Sequence, residues 1–232
     1  WNLGMGNTPY LEMAEEFEYI DGKPGKLDRQ AIQNGLWSME ELWGKKDPRF
    51  AATIYTMGTP WRGGNVDFHK GLIGGDGKLY ENDGEGYEGV NAMGDQNINA
   101  GNFGTGFGVM KYLDENVDIG STWSNSGTDF IVFRFGEILL NYAEAAFELG
   151  KSGEALGAIN QLRTRAGIAT KTTIDRQAIR HERKVELAFE GHRYWDLRRW
   201  REAESVLSQS FSGLRYILDF NTRKYKLVVL DD

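Results

Sequence analysis

Apolar residues recur at helical spacing in the second half of the chain. Between residues 136 and 149 they stand three or four positions apart and so share one side of a helix; they are Ile138, Leu139, Tyr142, Ala145, Ala146 and Leu149. Gly150 follows as a C-terminal cap, and Ser152 is a candidate N-cap for a second helix that closes at Gly167. So short a connection predicts an antiparallel helix pair of the tetratricopeptide type.

The pattern continues with further elements toward the C-terminus. Two more helices are predicted over about residues 175–190 and 193–204, on either side of Gly191. Apolar and polar residues then alternate over 214–230, which predicts a hairpin that turns near Asn221.

The first 130 residues differ from the second half in composition and in periodicity. They hold all four prolines and most of the 30 glycines, and the stretches 63–89 and 99–108 have no sustained period. We expect long ordered loops with short strands, since their aromatic content argues against disorder, and short helices over 8–17 and 38–42.

These patterns define the predicted fold class and organisation. The fold should be mainly α, with tetratricopeptide-like helix pairs, long irregular loops and a few short β-strands. One domain over 1–232 would comprise a loop-rich ligand side (1–130), a helical scaffold (131–204) and a tail with a possible hairpin (205–232).

The segment 180–200 is rich in charged and aromatic residues. On a helical wheel Glu182 falls among apolar residues, and Arg163 falls inside the apolar stripe of the preceding helix. Because a buried charge is costly unless it is paired, we predict a buried Arg163–Glu182 ion pair, with Arg134 as a further partner. The other charges are expected on a solvated face; they are Arg180, Arg183, Lys184 and Glu190. A structural role is favoured over catalysis, which needs a cleft and a matched second group.

Composition excludes several kinds of function. The net charge of −7, from 27 basic and 34 acidic residues, argues against a nucleic-acid partner. The absence of cysteine removes disulfides, thiolate catalysis and cysteine-bound metals. The three histidines lack metal-ligand spacing, residues 76–85 miss the EF-hand register, and the glycines at 101–108 do not form a dinucleotide-binding motif. We therefore predict no metal and no cofactor, whereas a pair of glycosidase carboxylates stays open because their separation is three-dimensional.

Aromatic residues on the glycine-rich loops are the best candidates for ligand binding. Exposed rings beside polar side chains suit stacking on sugars. The alternative is that the rings fold inward and fix the loops. The candidate ligand residues are Trp61, Arg62, Asn65, Tyr80, Asn82, Asp83, Tyr87 and Trp123.

Several stretches together resemble the SusD/RagB family of nutrient-binding outer-membrane lipoproteins. Residues 133–150 (FRFGEILLNYAEAAFELG), 154–168 and 179–200 are similar to the C-terminal signature of that family. Residues 45–61, which contain DPRF, and 105–113 (TGFGVMKYL) are similar to elements upstream of it.

The resemblance implies a function that the patterns alone do not give. Family members are mainly helical, are not enzymes, and capture oligosaccharides for a SusC-like TonB-dependent transporter. They are held at the cell surface of the outer membrane by a lipid anchor that is absent from this chain, as is the N-terminal half. A peptide or another nutrient is an alternative ligand, and an accessory domain of a glycoside hydrolase is a further alternative. The resemblance places ligand aromatics in the loops around 61–87 and near Trp123.

Overall fold

The structure is a computed structural model that describes residues 8–67, 69–80, 97–99, 105–116 and 127–231. The described helices are α1 (Leu11–Glu16), α2 (Arg29–Gln33), α3 (Met39–Trp43), α4 (Pro48–Thr53), α5 (Phe135–Glu148), α6 (Ser152–Ala166), α7 (Arg176–Glu186), α8 (Arg193–Arg199) and α9 (Ala203–Leu207). The described strands are β1 (Leu36–Trp37), β2 (Ile54–Tyr55), β3 (Pro60–Trp61), β4 (Gly64–Asp67), β5 (Leu72–Ile73), β6 (Leu79–Tyr80), β7 (Asn97–Asn99), β8 (Gly108–Val109), β9 (Ser212–Asp219) and β10 (Tyr225–Asp231).

The predicted helix pair is formed by α5 and α6. Gly150 and Gly167 adopt left-handed backbone angles, φ 76° and 77°, at the two helix ends, a conformation that glycine adopts without a steric penalty. The prediction for Ser152 is wrong: it is the first helical residue, and Lys151 occupies the N-cap without a side-chain hydrogen bond. The fold is mainly α, with a tetratricopeptide-like helix pair, as predicted.

The buried face of α5 matches the predicted stripe only in part: Ala146 is buried and Leu139 packs against the core of the helices, as predicted. Leu140, Ala143 and Ala146 are buried, because α5 packs on α6 and α7 and small residues let the helices approach closely. Large apolar residues of the predicted stripe remain exposed instead; they are Ile138, Tyr142 and Leu149. Helix α5 is therefore apolar on two sides, and the periodicity does not say which side is buried.

The C-terminal elements agree with the sequence in kind but not in every boundary. Helix α7 ends at Glu186, four residues before the predicted end. The helix predicted over 193–204 is interrupted after Arg199, where Arg201 has a left-handed φ of 59°. The hairpin is confirmed: β9 and β10 pair antiparallel from Tyr225↔Leu218 to Asp231↔Ser212.

A five-stranded sheet, more extensive than the sequence predicts, carries the larger hydrophobic core. Its strand order is β1-β10-β9-β5-β6, and β5 runs parallel to β9 while the other neighbours are antiparallel. Helices α1 and α2 contact β9 and β10, and the predicted short helices over 8–17 and 38–42 are present as α1 and α3. A second core lies among α5, α6 and α7. None of the described helices has both the length and the apolar character needed to cross a bilayer.

Candidate functional site: a charged belt and a loop hairpin

Arg163 and Glu182 form the predicted ion pair between α6 and α7. Arg163 Nη1 lies 2.9 Å from Glu182 Oε2, and the two residues are 2% and 1% exposed. Arg163 Nη2 also donates to Glu18 Oε2 at 2.5 Å, and its Nε donates to the Ala169 carbonyl at 2.7 Å. The guanidinium is thus paired on each of its nitrogens, as a buried cation requires.

Arg49 of α4 extends this pair along the same face of α7. Its Nη1 donates to Glu182 Oε1 at 2.7 Å and to Glu186 Oε2 at 2.8 Å. Asp47, the N-cap of α4, accepts from Arg49 Nη2 at 2.7 Å and holds the guanidinium in place. The segment Asp-Pro-Arg-Phe therefore builds a capped helix whose arginine reaches a partner 133 residues away.

Arg134 belongs to the same group of charges but not with the predicted partner. It donates to Glu186 Oε1 at 2.6 Å and to Glu190 Oε2 at 2.7 Å, not to Glu182. The reason is its position just before α5, where an extended backbone directs it to the end of α7 rather than to its middle. We call the group formed by Arg49, Lys111, Arg134, Arg163, Glu182, Glu186 and Glu190 the charged belt.

Lys111 ties the loop-rich part of the chain to the charged belt. Its Nζ donates to Glu190 Oε1 and to the Ala188 carbonyl, both at 2.8 Å. Burial alone would raise the pKa of the Glu190 carboxyl, but hydrogen bonds from Arg134 and Lys111 outweigh it and hold that pKa below its usual range. The pKa of Glu186 is lowered in the same way, against its own burial, by Arg134 and Arg49.

The predicted solvated face of α7 is wrong. Arg183 is buried and its Nε donates to Asp196 Oδ2 at 2.6 Å, while Glu190 is buried in the charged belt. Arg180 and Lys184 are half-buried and paired with Glu202 and Glu16. The first residues of α7 are exposed, but none of its residues from Arg180 to Glu186 is, so its polar flank meets other elements instead of water.

The charged belt is suited to holding elements together rather than to chemistry. Each of its carboxylates is paired with a guanidinium or an ammonium group. Lowered pKa values keep Glu186 and Glu190 ionised at neutral pH, so neither can donate a proton there. Within the part of the chain that the structure describes, no group of three or more His, Asp or Glu residues could hold a metal ion.

Three of the predicted ligand residues share one short hairpin in the loop-rich part of the chain. Strands β3 and β4 pair Pro60 with Asn65 and Trp61 with Gly64. Arg62 sits at the tip with a left-handed φ of 47°, and its Nε donates to the Glu115 carbonyl at 3.1 Å. Arg62 and Asn65 are exposed, whereas Trp61 is half-buried against the main core.

The fourth described candidate, Tyr80, lies on a different sheet. It packs against the main core from β6, and its hydroxyl donates to Asp76 Oδ2 at 3.0 Å, which closes its own hairpin. The alternative interpretation, in which the rings fold inward and fix the loops, thus fits Trp61 and Tyr80 in part. The remaining candidates lie outside the described residues; they are Asn82, Asp83, Tyr87 and Trp123.

Sequence reasoning missed the two residues of the loop-rich half that join it to the helical scaffold. Arg49 and Lys111 lie on segments without a usable period, so no helical wheel could orient them. The available signal was local: Asp47 and Pro48 mark a helix start, and Lys111 follows a glycine-aromatic stretch.

Comparison with known proteins agrees with this fold. The sequence model of the SusD family matches residues 2–227, and the chain belongs to that family. It is 34% identical over 135 residues to SusD-like protein P2 of Formosa agariphila, which covers 53% of this chain and 26% of the relative. It is 41% identical over 85 residues to SusD-like protein P25 of the same organism, covering 33% and 16%.

Two solved structures from Bacteroides fragilis NCTC 9343 have the same fold. A SusD-like protein superposes with a TM-score of 0.68 at 27% identity, over 97% of this chain and 40% of its own length. A SusD-like carbohydrate-binding protein superposes with a TM-score of 0.61 at 28% identity, over 88% and 37%. The chain therefore spans less than half the length of the relatives and structures that it matches.

Proposed function

We propose that the chain is part of a non-catalytic glycan-binding protein that captures oligosaccharides for a SusC-like TonB-dependent transporter. The observation that carries the proposal is the family match over residues 2–227. It is supported by the 28% identity, over 88% of this chain, to a solved SusD-like carbohydrate-binding protein.

The state of the buried carboxylates supports binding over cleavage. A glycosidase needs one carboxyl group with a raised pKa as the acid and a second, about 5–10 Å away, as base or nucleophile. In the charged belt, Glu186 and Glu190 have lowered pKa values and cationic partners. These groups stabilise the scaffold, which leaves ligand contact to the exposed loops.

The β3–β4 hairpin is the described segment best suited to touch a glycan. Arg62 and Asn65 supply a cationic donor and an amide at its exposed end, and half-buried Trp61 supplies an adjoining ring. Hydrogen-bonding groups around an aromatic surface are the usual composition of a sugar site. Tyr80, Asn82, Asp83, Tyr87 and Trp123 complete the proposed ligand set.

The wider cellular role is part of the same proposal. We place the whole protein at the cell surface of the outer membrane, where a lipid anchor would provide its contact with the membrane. Its partners would be the oligosaccharide and the transporter, with no nucleic acid and no cofactor. The net charge of −7 fits the absence of a nucleic-acid partner.

A binding screen that also detects cleavage tests the proposal. The chain is mixed with neutral and acidic oligosaccharides and with peptides of similar mass, and bound ligand and new reducing ends are both measured. Saturable glycan binding without new reducing ends is expected. New reducing ends would establish a hydrolase, and binding of peptides alone would move the ligand class to peptides. Arg62→Ala should weaken glycan binding, whereas Lys23→Ala, an exposed control, should not.

A further inference from the structure

An aromatic pair lies where the turn after β8 meets the extended segment before α5. The rings of Tyr112 and Phe130 are stacked, with centroids 5.6 Å apart and planes 18° apart. Tyr112 is half-buried, and Phe130 is 65% exposed. Tyr112 covers one face of the Phe130 ring, and most of the remaining ring surface faces solvent.

The backbone beneath this pair is held in an unusual conformation. Tyr112 has a left-handed φ of 74°, which bulky residues adopt only when their surroundings impose it. Its hydroxyl donates to the Phe189 carbonyl at 3.4 Å. Its neighbour Lys111 donates to the Ala188 carbonyl and to Glu190. The ring pair is therefore preorganised by the same contacts that anchor the loop to the segment after α7.

The predicted ligand hairpin is bonded to the loop that carries Tyr112. Glu115, three residues after Tyr112, accepts through its carbonyl from Arg62 Nε at 3.1 Å. Asp114, Glu115 and Asn116 are all exposed, and the Asn116 backbone and side chain both donate to Asp114 Oδ1. The loop that follows Tyr112 thus exposes an amide and two carboxylates, and it is bonded to the guanidinium of Arg62.

We propose that Tyr112 and Phe130 form a stacking platform for a neutral saccharide, continuous with the Arg62 end of the β3–β4 hairpin. The inference rests on the proposed glycan-binding function and names residues and a ligand class for it. The C–H face of a pyranose ring packs on a flat aromatic surface, and amide and carboxylate groups at its edge bond to hydroxyls. Asp114 and Glu115 repel anionic sugars, which makes neutral glycans the favoured class.

Calorimetric titration of matched variants tests the platform. The probes are maltohexaose, cellohexaose and xylohexaose as neutral sugars, and oligogalacturonate as an acidic one. Phe130→Ala should weaken binding of the best neutral probe about tenfold, on the scale of one lost aromatic contact. Tyr112→Gly should weaken binding to a similar extent, and it removes the strain of the left-handed backbone at this position. Trp195→Ala, which removes a ring that is 67% exposed on α8, should leave affinity unchanged.

The outcomes separate the platform from the function on which it rests. Equal affinity of wild type and Phe130→Ala overturns the platform but leaves glycan binding intact. Tighter binding of oligogalacturonate than of every neutral probe overturns the ligand class. No binding of any sugar by the wild type overturns the proposed function as well. Phe130 is exposed, so Phe130→Ala should keep the wild-type melting temperature. Its affinity therefore tests the platform even if Tyr112→Gly does not fold.

Discussion

Arg163 of α6 and Glu182 of α7 meet at 2.9 Å, although each is at least 98% buried. Arg49 joins this pair from the loop-rich half of the chain. The loop-rich half is thereby fixed to the helical scaffold by charge pairs, in addition to apolar packing.

Truncation of Arg163 should be strongly destabilising. Arg163→Met leaves Glu182 and Glu18 each with one fewer cationic partner in a buried setting, so we expect a loss of about 3–5 kcal/mol in the free energy of unfolding. Urea denaturation measures it. Arg176→Met is the matched control, because its pair with Glu148 is exposed and should contribute almost nothing. A loss in Arg163→Met as small as that of the control would contradict the structural role of the pair.

Lys46 provides a second buried cation with a different set of partners. Its ammonium donates to the carbonyls of Phe17 and Gly25, and Lys46→Met would leave these acceptors unsatisfied, at a cost on the order of 3 kcal/mol. Burial lowers the pKa of Lys46 to about 8. The folded state therefore releases this proton before the unfolded state does. The stability of the wild type relative to Lys46→Met should rise as the pH increases from about 8 toward 10.5, in denaturation curves recorded across that range. A pH-independent difference would show that Lys46 does not titrate there.

His181 and Glu16 should make stability depend on pH near neutrality. His181 Nε2 donates to the Glu16 carbonyl at 2.8 Å and lies 3.2 Å from its carboxylate. Burial works to lower the pKa of His181, but the interactions with Glu16 outweigh it and raise that pKa above 6.5. The stabilisation is complete below pH 6.5 and is lost as the pH rises through the raised pKa.

Acid should also weaken the contact between His181 and Glu16, because it protonates the Glu16 carboxylate. Burial works to raise the pKa of Glu16, yet the bond to His181 and the charge of Lys184 lower it to about 2. Its contribution is complete above pH 4.5 and is lost as the pH falls toward 2. Thermal unfolding of wild type and His181→Gln from pH 3 to pH 8 checks both the loss of stability expected at rising pH and the loss expected in acid. Parallel curves for the two proteins would refute the coupling.

Two glycine substitutions should have opposite effects. A Cβ on Gly25 would lie 1.8 Å from the Phe17 carbonyl oxygen, so Gly25→Ala must displace the backbone around Lys46 and should be strongly destabilising. Gly157 is exposed inside α6 and a Cβ there meets nothing within 4 Å. Gly157→Ala should add about 0.5–1 kcal/mol to the free energy of unfolding. Melting temperatures that move in the same direction would argue against this arrangement of the two sites.

Features that depend on neighbouring residues could be predicted from the sequence. Gly150 and Gly167 end their helices where the pattern indicates, because a cap is a local property of the chain. The Arg163–Glu182 pair was also predictable, since two regular helices fix the direction of each side chain. The alternation over 214–230 likewise gave the hairpin.

Features that depend on which elements meet could not be predicted. Helix α5 is apolar on two sides, and only its contact with α6 and α7 selects Leu140 over Tyr142. Arg49 lies on a helix of six residues, too short to define a buried face. Tyr112 and Phe130 are 18 positions apart on segments without a period, so only the fold brings their rings together.

The central claim is that this chain binds a glycan and does not cleave it. Isothermal titration of neutral hexasaccharides into the wild-type chain tests both halves at once, because binding heat ends when the sites are filled whereas turnover releases heat continuously. The account predicts saturable heat that returns to baseline after each injection. Continuous heat flow, or no heat with any hexasaccharide, would contradict it.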